Sequence, residues 1–326
     1  MKYVYILTSC ESDLYYEQFL TSVKSLHLYN QNAHIVVLMD SITKKGLTGK
    51  RSGYENIISE IIILPTPQGL SQREISRWIK TSMKKYISGD FFFIDCDTVI
   101  TCDLKYEFPR EIHIGAVLDT HVNLSKHHLD YYFRERNKKA GFSSSKTDLY
   151  FNSGVIFCRD TPESVEFFLK WHSLWLLGNK KGIHQDQPAF NQANSEMGCV
   201  ITELEGEWNC QITHNGLPYL HNAKIIHCFA SSMWLYSCPF LPASIPVLSS
   251  VKEKGEIYPE LLEWLKNPKA AFETESRIIT GKEEFDVINS KLFSILLYLR
   301  KKKPSLFKTL NAFLLKLRSK TQKSRE

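Results

Sequence analysis

Three features of the chain predict an α/β fold built on a Rossmann-like, mostly parallel sheet flanked by helices. Short β-rich runs alternate with helical periodicities, and one of the runs, Phe91–Ile94, is apolar throughout, as a strand covered on both faces must be. With 326 residues, 43% of them hydrophobic, the chain is also long enough to bury a full core.

The elements follow in order. Tyr3–Thr8 is an apolar, β-rich run, and behind it Tyr15, Phe19, Val23 and Leu26 recur at helical spacing. His34–Met39, ending at Asp40, reads as a second strand, and Ile57–Leu64, closed by Pro65 and Pro67, as a third. Ser71-Gln72-Arg73-Glu74 has the spacing of a capping box. Past it, Ile75, Trp78, Ile79, Met83, Tyr86 and Ile87 share one helical face. Gly89-Asp90 ends that helix and Phe91–Ile94 follows. Ile112–Leu118 and Tyr150–Cys158 read as further strands. Thr161-Pro162-Glu163 is a helix start, with a capping Thr, Pro at the first helical position and an acid in the first turn. Residues 120–149 are polar, show no clear period, and suggest a functional loop or small insertion beside the sheet.

Charge divides the chain. From Lys291 to Glu326 there are eleven Lys/Arg and one acid, whereas the remainder is mildly acidic. Leu306, Leu310, Phe313, Leu314 and Leu317 follow the helical period, with Lys308, Lys316 and Arg318 off that stripe. A basic amphipathic helix of this kind either lies on a membrane surface or packs its apolar face on protein. The expected organisation is a domain over 1–250 and a helical, basic extension over 251–326, with residues 290–320 meeting the inner face of the membrane. Nucleic acid is not an expected partner, because the acidic remainder carries no binding motif for it. No stretch reaches the roughly 18 uninterrupted apolar residues of a membrane span. The N-terminus turns polar too soon for a secretory signal, and the eight cysteines include no CxxC pair. The expectation is a cytoplasmic protein, peripheral on the membrane's cytoplasmic face.

Phe93-Ile94-Asp95-Cys96-Asp97 places two carboxylates two residues apart at the end of a buried strand. Period-2 geometry points both the same way, so that they can share a divalent cation. About one D-x-D arises by chance in a chain of this length, but position adds information. Ligands of open α/β sheets bind beyond the carboxyl ends of strands. Hard oxygen donors suit Mg²⁺ or Mn²⁺, bound through one or two carboxylates together with substrate phosphates. The alternative is a turn whose acids pair with nearby lysines.

Several separate segments together resemble the retaining, GT-A-fold glycosyltransferases of family 8, the lipopolysaccharide galactosyltransferase and glycogenin group. They are Trp78-Ile79-Lys80, Phe93-Ile94-Asp95-Cys96-Asp97, Tyr150-Phe151-Asn152-Ser153-Gly154-Val155, His184-Gln185-Asp186-Gln187, Glu207-Trp208-Asn209 and Ile225-Ile226-His227. The likeness covers about residues 1–235. It implies a hexosyltransferase that uses a nucleoside diphosphate sugar, UDP-linked by family habit, with a hydroxyl of a glycan or glycolipid as acceptor. The basic, membrane-seeking tail in turn suggests a lipid-linked acceptor such as a lipopolysaccharide core or another surface-glycan precursor. The resemblance further implies that Asp95, Asp97 and His227 ligate the metal, the imidazole favouring Mn²⁺ over Mg²⁺. Lys80 matches a basic residue that contacts the donor, Asn152 and Gly154 the turn lining the donor sugar, and Asp186 and Gln187 the pair nearest the anomeric carbon. Thr8 ends the strand beside which the family binds the nucleotide base. The chain departs from the pattern after His227, where Cys228–Trp234 keeps the Trp but lacks the family's Lys; Lys224 or Arg77 is left to supply that charge. Pro188 also stands where the family often has an acid.

Two rival classes stay open at this level. A sugar-nucleotide nucleotidyltransferase shares the sheet and the metal carboxylates, but Ser9-Cys10-Glu11-Ser12 offers no glycine for a phosphate loop after the first strand. A membrane-bound scaffold with a decayed transferase domain is the non-enzymatic reading.

Overall fold

A computed structural model describes residues 1–127, 129–143, 147–212, 215–228, 242–272, 286–287 and 289–323. Its centre is a seven-stranded sheet. The strands, in chain order, are β1 (Lys2–Leu7), β2 (His34–Asp40), β3 (Glu60–Leu64), β4 (Phe91–Ile94), β5 (Thr98–Ile100), β6 (Ile114–Leu118), β7 (Phe151–Cys158), β8 (Ile201–Glu203), β9 (Cys210–Gln211) and β10 (Ile225–His227). The large sheet has the order β3-β2-β1-β4-β7-β6-β8, and a small one the order β5-β10-β9. In the large sheet β7 alone runs against its neighbours, pairing antiparallel with both β4 and β6. The expected mostly parallel α/β sheet is therefore what forms.

The helices of this unit are α1 (Tyr15–Tyr29), α2 (Ser41–Gly46), α3 (Gln72–Ser82), α4 (Asp130–Ala140), α5 (Pro162–Lys180), α6 (Gln187–Glu196), α7 (Ile245–Lys254) and α8 (Pro259–Lys266). Each face of the sheet has its own core. Alternate residues of β1 and β2 (Tyr3, Tyr5, Leu7, Ile35, Val37, Met39) join Phe19, Val23 and Leu26 of α1 on one side. The residues between them (Val4, Ile6, Val36, Leu38) join Ile75 and Ile79 of α3 and Phe167, Trp171 and Trp175 of α5 on the other. This two-sided burial is why β1, β2 and β4 read as continuous apolar runs. Local signals hold where they were expected: Ser71 and Glu74 close a capping box on α3, and Thr161 caps α5 with Pro162 at its start.

Three sequence expectations are revised. Residues 120–149 contain α4, which buries only Phe133 and Ala140 of its eleven residues. A helix with so little apolar surface has no stripe to detect. The third strand starts at Glu60 instead of Ile57, because residues 53–57 form a 3-10 turn that buries Tyr54. The compact unit also continues past residue 250. Val247 and Val251 of α7 and Leu261 and Leu265 of α8 are buried in the α1-side core, so the boundary expected at 250 falls inside a helix.

A second unit holds the tail helices α9 (Lys291–Lys302) and α10 (Pro304–Lys323). Ser290 caps α9 through the Phe293 amide (3.1 Å), and Lys303-Pro304 separates the two helices. Leu292, Ile295, Tyr298, Leu306, Phe313 and Leu314 are all exposed. Among the described residues no helix is long and apolar enough to cross a membrane.

Candidate active site

The carboxyl ends of the parallel strands form one rim of the sheet. At that rim β4 stops after Ile94, and Asp95-Cys96-Asp97 turns the chain into β5. The Asp95 amide still donates to the Gly154 carbonyl of β7 (2.8 Å), and Thr98 Oγ1 donates to the Asp95 carbonyl (2.8 Å), which fixes the turn. β5 then pairs antiparallel with β10 so that Thr98 faces His227. That register carries the imidazole across 130 residues of sequence onto Asp97. One ligand atom each from Asp95, Asp97 and His227 lies within 4.8 Å of the others.

The imidazole is oriented from behind. Asn209 donates its amide to Asn152 Oδ1 (3.0 Å), so its own oxygen faces His227 Nδ1 (2.9 Å) and accepts that N–H. Nε2 is then the nitrogen aimed at Asp97 Oδ1, 3.1 Å away. Between an imidazole lone pair and a carboxylate oxygen a positive charge has to sit, either a proton or a metal ion. Two carboxylates, one outward-aimed imidazole and a buried amide holding its far nitrogen form a donor set that fits Mn²⁺ or Mg²⁺. Among titrating groups here, burial pushes the Asp95 carboxyl up, with Lys80 opposing and Asp97 adding to the rise. Burial acts upward on Asp97 as well, but the charge and hydrogen bond of His227 carry it below the usual range.

A second cluster adjoins the first. Lys80, on the buried face of α3, donates to both Asp95 oxygens (3.1 Å each) and lies 3.3 Å from Asp186 Oδ2. Arg77, one turn earlier, pairs through Nε with Asp186 Oδ1 (2.8 Å), and Ser153 Oγ donates to Asp186 Oδ2 (2.8 Å). Burial would raise the Asp186 carboxyl, yet Lys80 and Arg77 hold it at about 2. Asp186 immediately precedes α6 but its side chain makes no capping bond, being turned instead to these cations. Trp171 and Trp175, buried in the α5 face, hold the segment before α6 by donating to the Asp186 and His184 carbonyls (3.0 and 3.1 Å). Gln187 Oε1 lies 3.3 Å from the Ser153 amide and 3.4 Å from Asn152 Nδ2.

The structure thus brings Lys80, Arg77, Asn152, Asp186 and Gln187 beside Asp95, Asp97 and His227, with Gly154 packed against them. Thr8 directly follows β1 at the same rim, one strand from β4, and is buried. Lys80 is 3% exposed at its side chain and fully engaged, whereas Arg77 retains 33% exposure. Lys224 points elsewhere: it pairs with Glu207 (3.1 Å) and lies over the Trp208 ring. Ser231–Trp234, in the stretch that lacks the family's Lys, lies outside the described residues. Sequence reasoning missed Asn209 and Asp119. The first stood inside the Glu207-Trp208-Asn209 segment, which reads in sequence as a core aromatic with a turn. The second follows the apolar run of β6 as Asp95 follows β4, and accepts from Asn152 Nδ2 (2.8 Å).

No family model matches the sequence, and no curated protein matches it. Solved structures do match. The galactosyltransferase LgtC, in complex with donor and acceptor sugar analogs, superposes at a TM-score of 0.50 with 16% identity, over 81% of this chain and 99% of that one. An active-site mutant of LgtC gives 0.51 with 15% identity, over 82% and 99%. This is the GT-A glycosyltransferase fold. WbbM, a bifunctional glycosyltransferase, also matches at 0.50 with 17% identity, over 82% of this chain and 50% of that one.

In this GT-A fold Asn209 meets the cluster through its hydrogen bonds with His227 and Asn152. Asn209→Ala is expected to weaken Mn²⁺ binding by about 10- to 100-fold while leaving the fold intact, measured by titration of the metal against thermal unfolding.

Proposed function

We propose that the chain is a metal-dependent, retaining glycosyltransferase that moves a hexose from a nucleoside diphosphate sugar, UDP-linked, to a hydroxyl of a glycan or glycolipid. The observation that carries this reading is the convergence of Asp95, Asp97 and His227 at the sheet rim, next to Arg77, Lys80 and Asp186. Mn²⁺ or Mg²⁺ would be held by Asp95, Asp97 and His227 and would supply Lewis-acid stabilisation of charge building on the departing diphosphate.

The chain's own groups supply the rest. Arg77 pairs with Asp186 through Nε but is still partly exposed, and its remaining N–H groups would reach the diphosphate in the role of the Lys missing after His227. Lys80 balances Asp95 and sets its orientation. Asp186 is locked by two cations and a serine, which makes it a poor nucleophile and a good anchor. Asn152 and Gln187 present the polar edge along which the donor sugar would lie, and Thr8 stands by the base. Front-face attack, guided by Gln187, fits a site in which the neighbouring carboxylate, Asp186, is held by Arg77, Lys80 and Ser153.

The test is a screen of nucleotide sugars for Mn²⁺-dependent hydrolysis and for thermal stabilisation. Hydrolysis of at least one diphosphate sugar that stops on chelation is the expected result. Pyrophosphate release from a nucleoside triphosphate would point instead to a nucleotidyltransferase, and no turnover with any donor to a scaffold.

For the tail, the exposed apolar residues of α9 and α10 among eleven basic ones support binding to an anionic membrane surface. Each basic residue near such a surface adds about 1 kcal/mol. Co-sedimentation with vesicles containing phosphatidylglycerol is expected for the full chain, falling with added salt and absent after truncation at residue 289. Equal sedimentation with neutral vesicles would count against it.

A further inference from the structure

An open cleft of about 700 Å³ lies between α4 and the connection from α5 to α6. Tyr132, Arg136 and Lys139 line it at spacings of four and three along one helix face, with Lys138 beside them. Gly182 and Gln185 form the opposite wall. The Arg136 guanidinium is stacked 3.8 Å above the Tyr132 ring and donates to its hydroxyl, so the fork is already oriented. Arg136, Lys138 and Lys139 form no ion pair among the described residues, and Glu135 is the one acid in the lining. Desolvation holds the Arg136 guanidinium below its usual range, with no carboxylate to offset it.

The opposite wall lies close to these cations. Gly182 adopts φ +76°, and a Cβ there would lie 3.4 Å from Lys139 Nζ. Lys181 Nζ donates to the Ala140 carbonyl (2.8 Å), tying the connection to the end of α4. That wall runs from Gln185 directly into Asp186 and Gln187. On its inner side α4 is anchored by Phe133 stacked on Tyr150 (4.6 Å), two residues before Asn152. The cleft and the reacting centre therefore share both a strand and a loop.

We propose that this cleft receives the acceptor, and that the acceptor is a saccharide carrying an anionic group, a phosphate or a carboxylate. The assignment of the occupant as acceptor rests on the transferase reading. A planar, pre-oriented guanidinium with two flanking ammonium groups matches the oxygens of such a group, and Gln185 supplies a polar contact toward the reacting end.

Ligand-observed NMR on the full chain, with glucuronic acid, glucose 6-phosphate, glucose and inorganic phosphate as probes, tests this. The two anionic sugars are expected to bind and glucose to bind much more weakly. Arg136→Gln and, separately, Lys139→Gln should each weaken the anionic sugars by about tenfold or more, with Arg136→Lys recovering part of the loss and thermal unfolding unchanged throughout. Equal binding of glucose, or wild-type binding by both variants, overturns the site. Inorganic phosphate binding as tightly as glucose 6-phosphate overturns the saccharide assignment. Absence of donor hydrolysis by the wild type would sink the transferase reading while leaving the binding contrast measurable, so the two failures are distinct.

Discussion

Asp97→Asn is expected to lower Mn²⁺-dependent donor hydrolysis on the order of 10³-fold while the protein stays folded. The substitution removes one carboxylate from the proposed metal site and keeps an oxygen at the same place, so His227 retains a neighbour at Nε2 but the site loses a unit of charge. Several kilocalories of Lewis-acid stabilisation correspond to about that factor in rate. Two opposing effects set the variant's stability. Asp97 is one of the influences that push the Asp95 carboxyl up, which the substitution relieves, but the charge and hydrogen bond of His227 hold Asp97 itself below the usual range, and that contribution is lost with the carboxylate. Without metal, the variant is expected to unfold at or slightly below the wild-type temperature. With metal, the wild type is stabilised by mass action and the variant is not. Paired activity and thermal-unfolding measurements, with and without a chelator, check both halves. Undiminished hydrolysis by Asp97→Asn, or by the chelated wild type, would remove the metal from the account.

The second large effect comes from a residue with no side chain. A Cβ placed on Gly154 would collide with His227 Cε1 and stand 2.8 Å from Asp95 Oδ2 and 3.0 Å from Asn152 Oδ1. Gly154 is an ordinary position within β7 whose backbone needs no left-handed conformation, so the constraint is purely steric. The imidazole cannot swing aside, because Asn209 and Asp97 hold both its nitrogens. Relief requires β10 to back away from β7, which separates His227 from the two acids. Gly154→Ala is therefore expected to cost about 1–3 kcal/mol of stability and to abolish stabilisation by Mn²⁺ together with hydrolysis. Gly115→Ala is the control. Its Cβ would meet Leu204 Cδ2 at 2.8 Å, a flexible side chain away from the metal ligands, so it should cost stability without affecting metal affinity. Wild-type metal affinity in Gly154→Ala would show that the His227 position is not what the glycine protects.

Much of this was legible before folding. A strand buried on both faces has to be apolar throughout, so β1, β2 and β4 announce themselves, and two acids at the end of such a strand have no reason in packing to be there. The capping box at Ser71 is equally local. What failed to show follows one physical pattern. α4 buries two residues, so its period carried no signal, although it supplies the cationic wall of the cleft. Asn209 looked like part of a turn, because its role is a hydrogen bond to a ring 18 residues away. Lys224 and Arg77 were equivalent as sequence and differ completely in direction once α3 is packed on the sheet.

By itself, the sequence determined the α/β class, the alternation of strands and helices up to β4, the carboxylate pair at a strand end and the basic, amphipathic tail, since each depends on periodicity or on near neighbours. Only the tertiary structure decided that His227 lies against Asp97, that Asp186 faces Arg77 and Lys80 instead of capping α6, and that α7 and α8 belong to the core. Those facts depend on strand register and on helix faces meeting across the sheet, and contacts between residues far apart in the chain leave no local periodic trace.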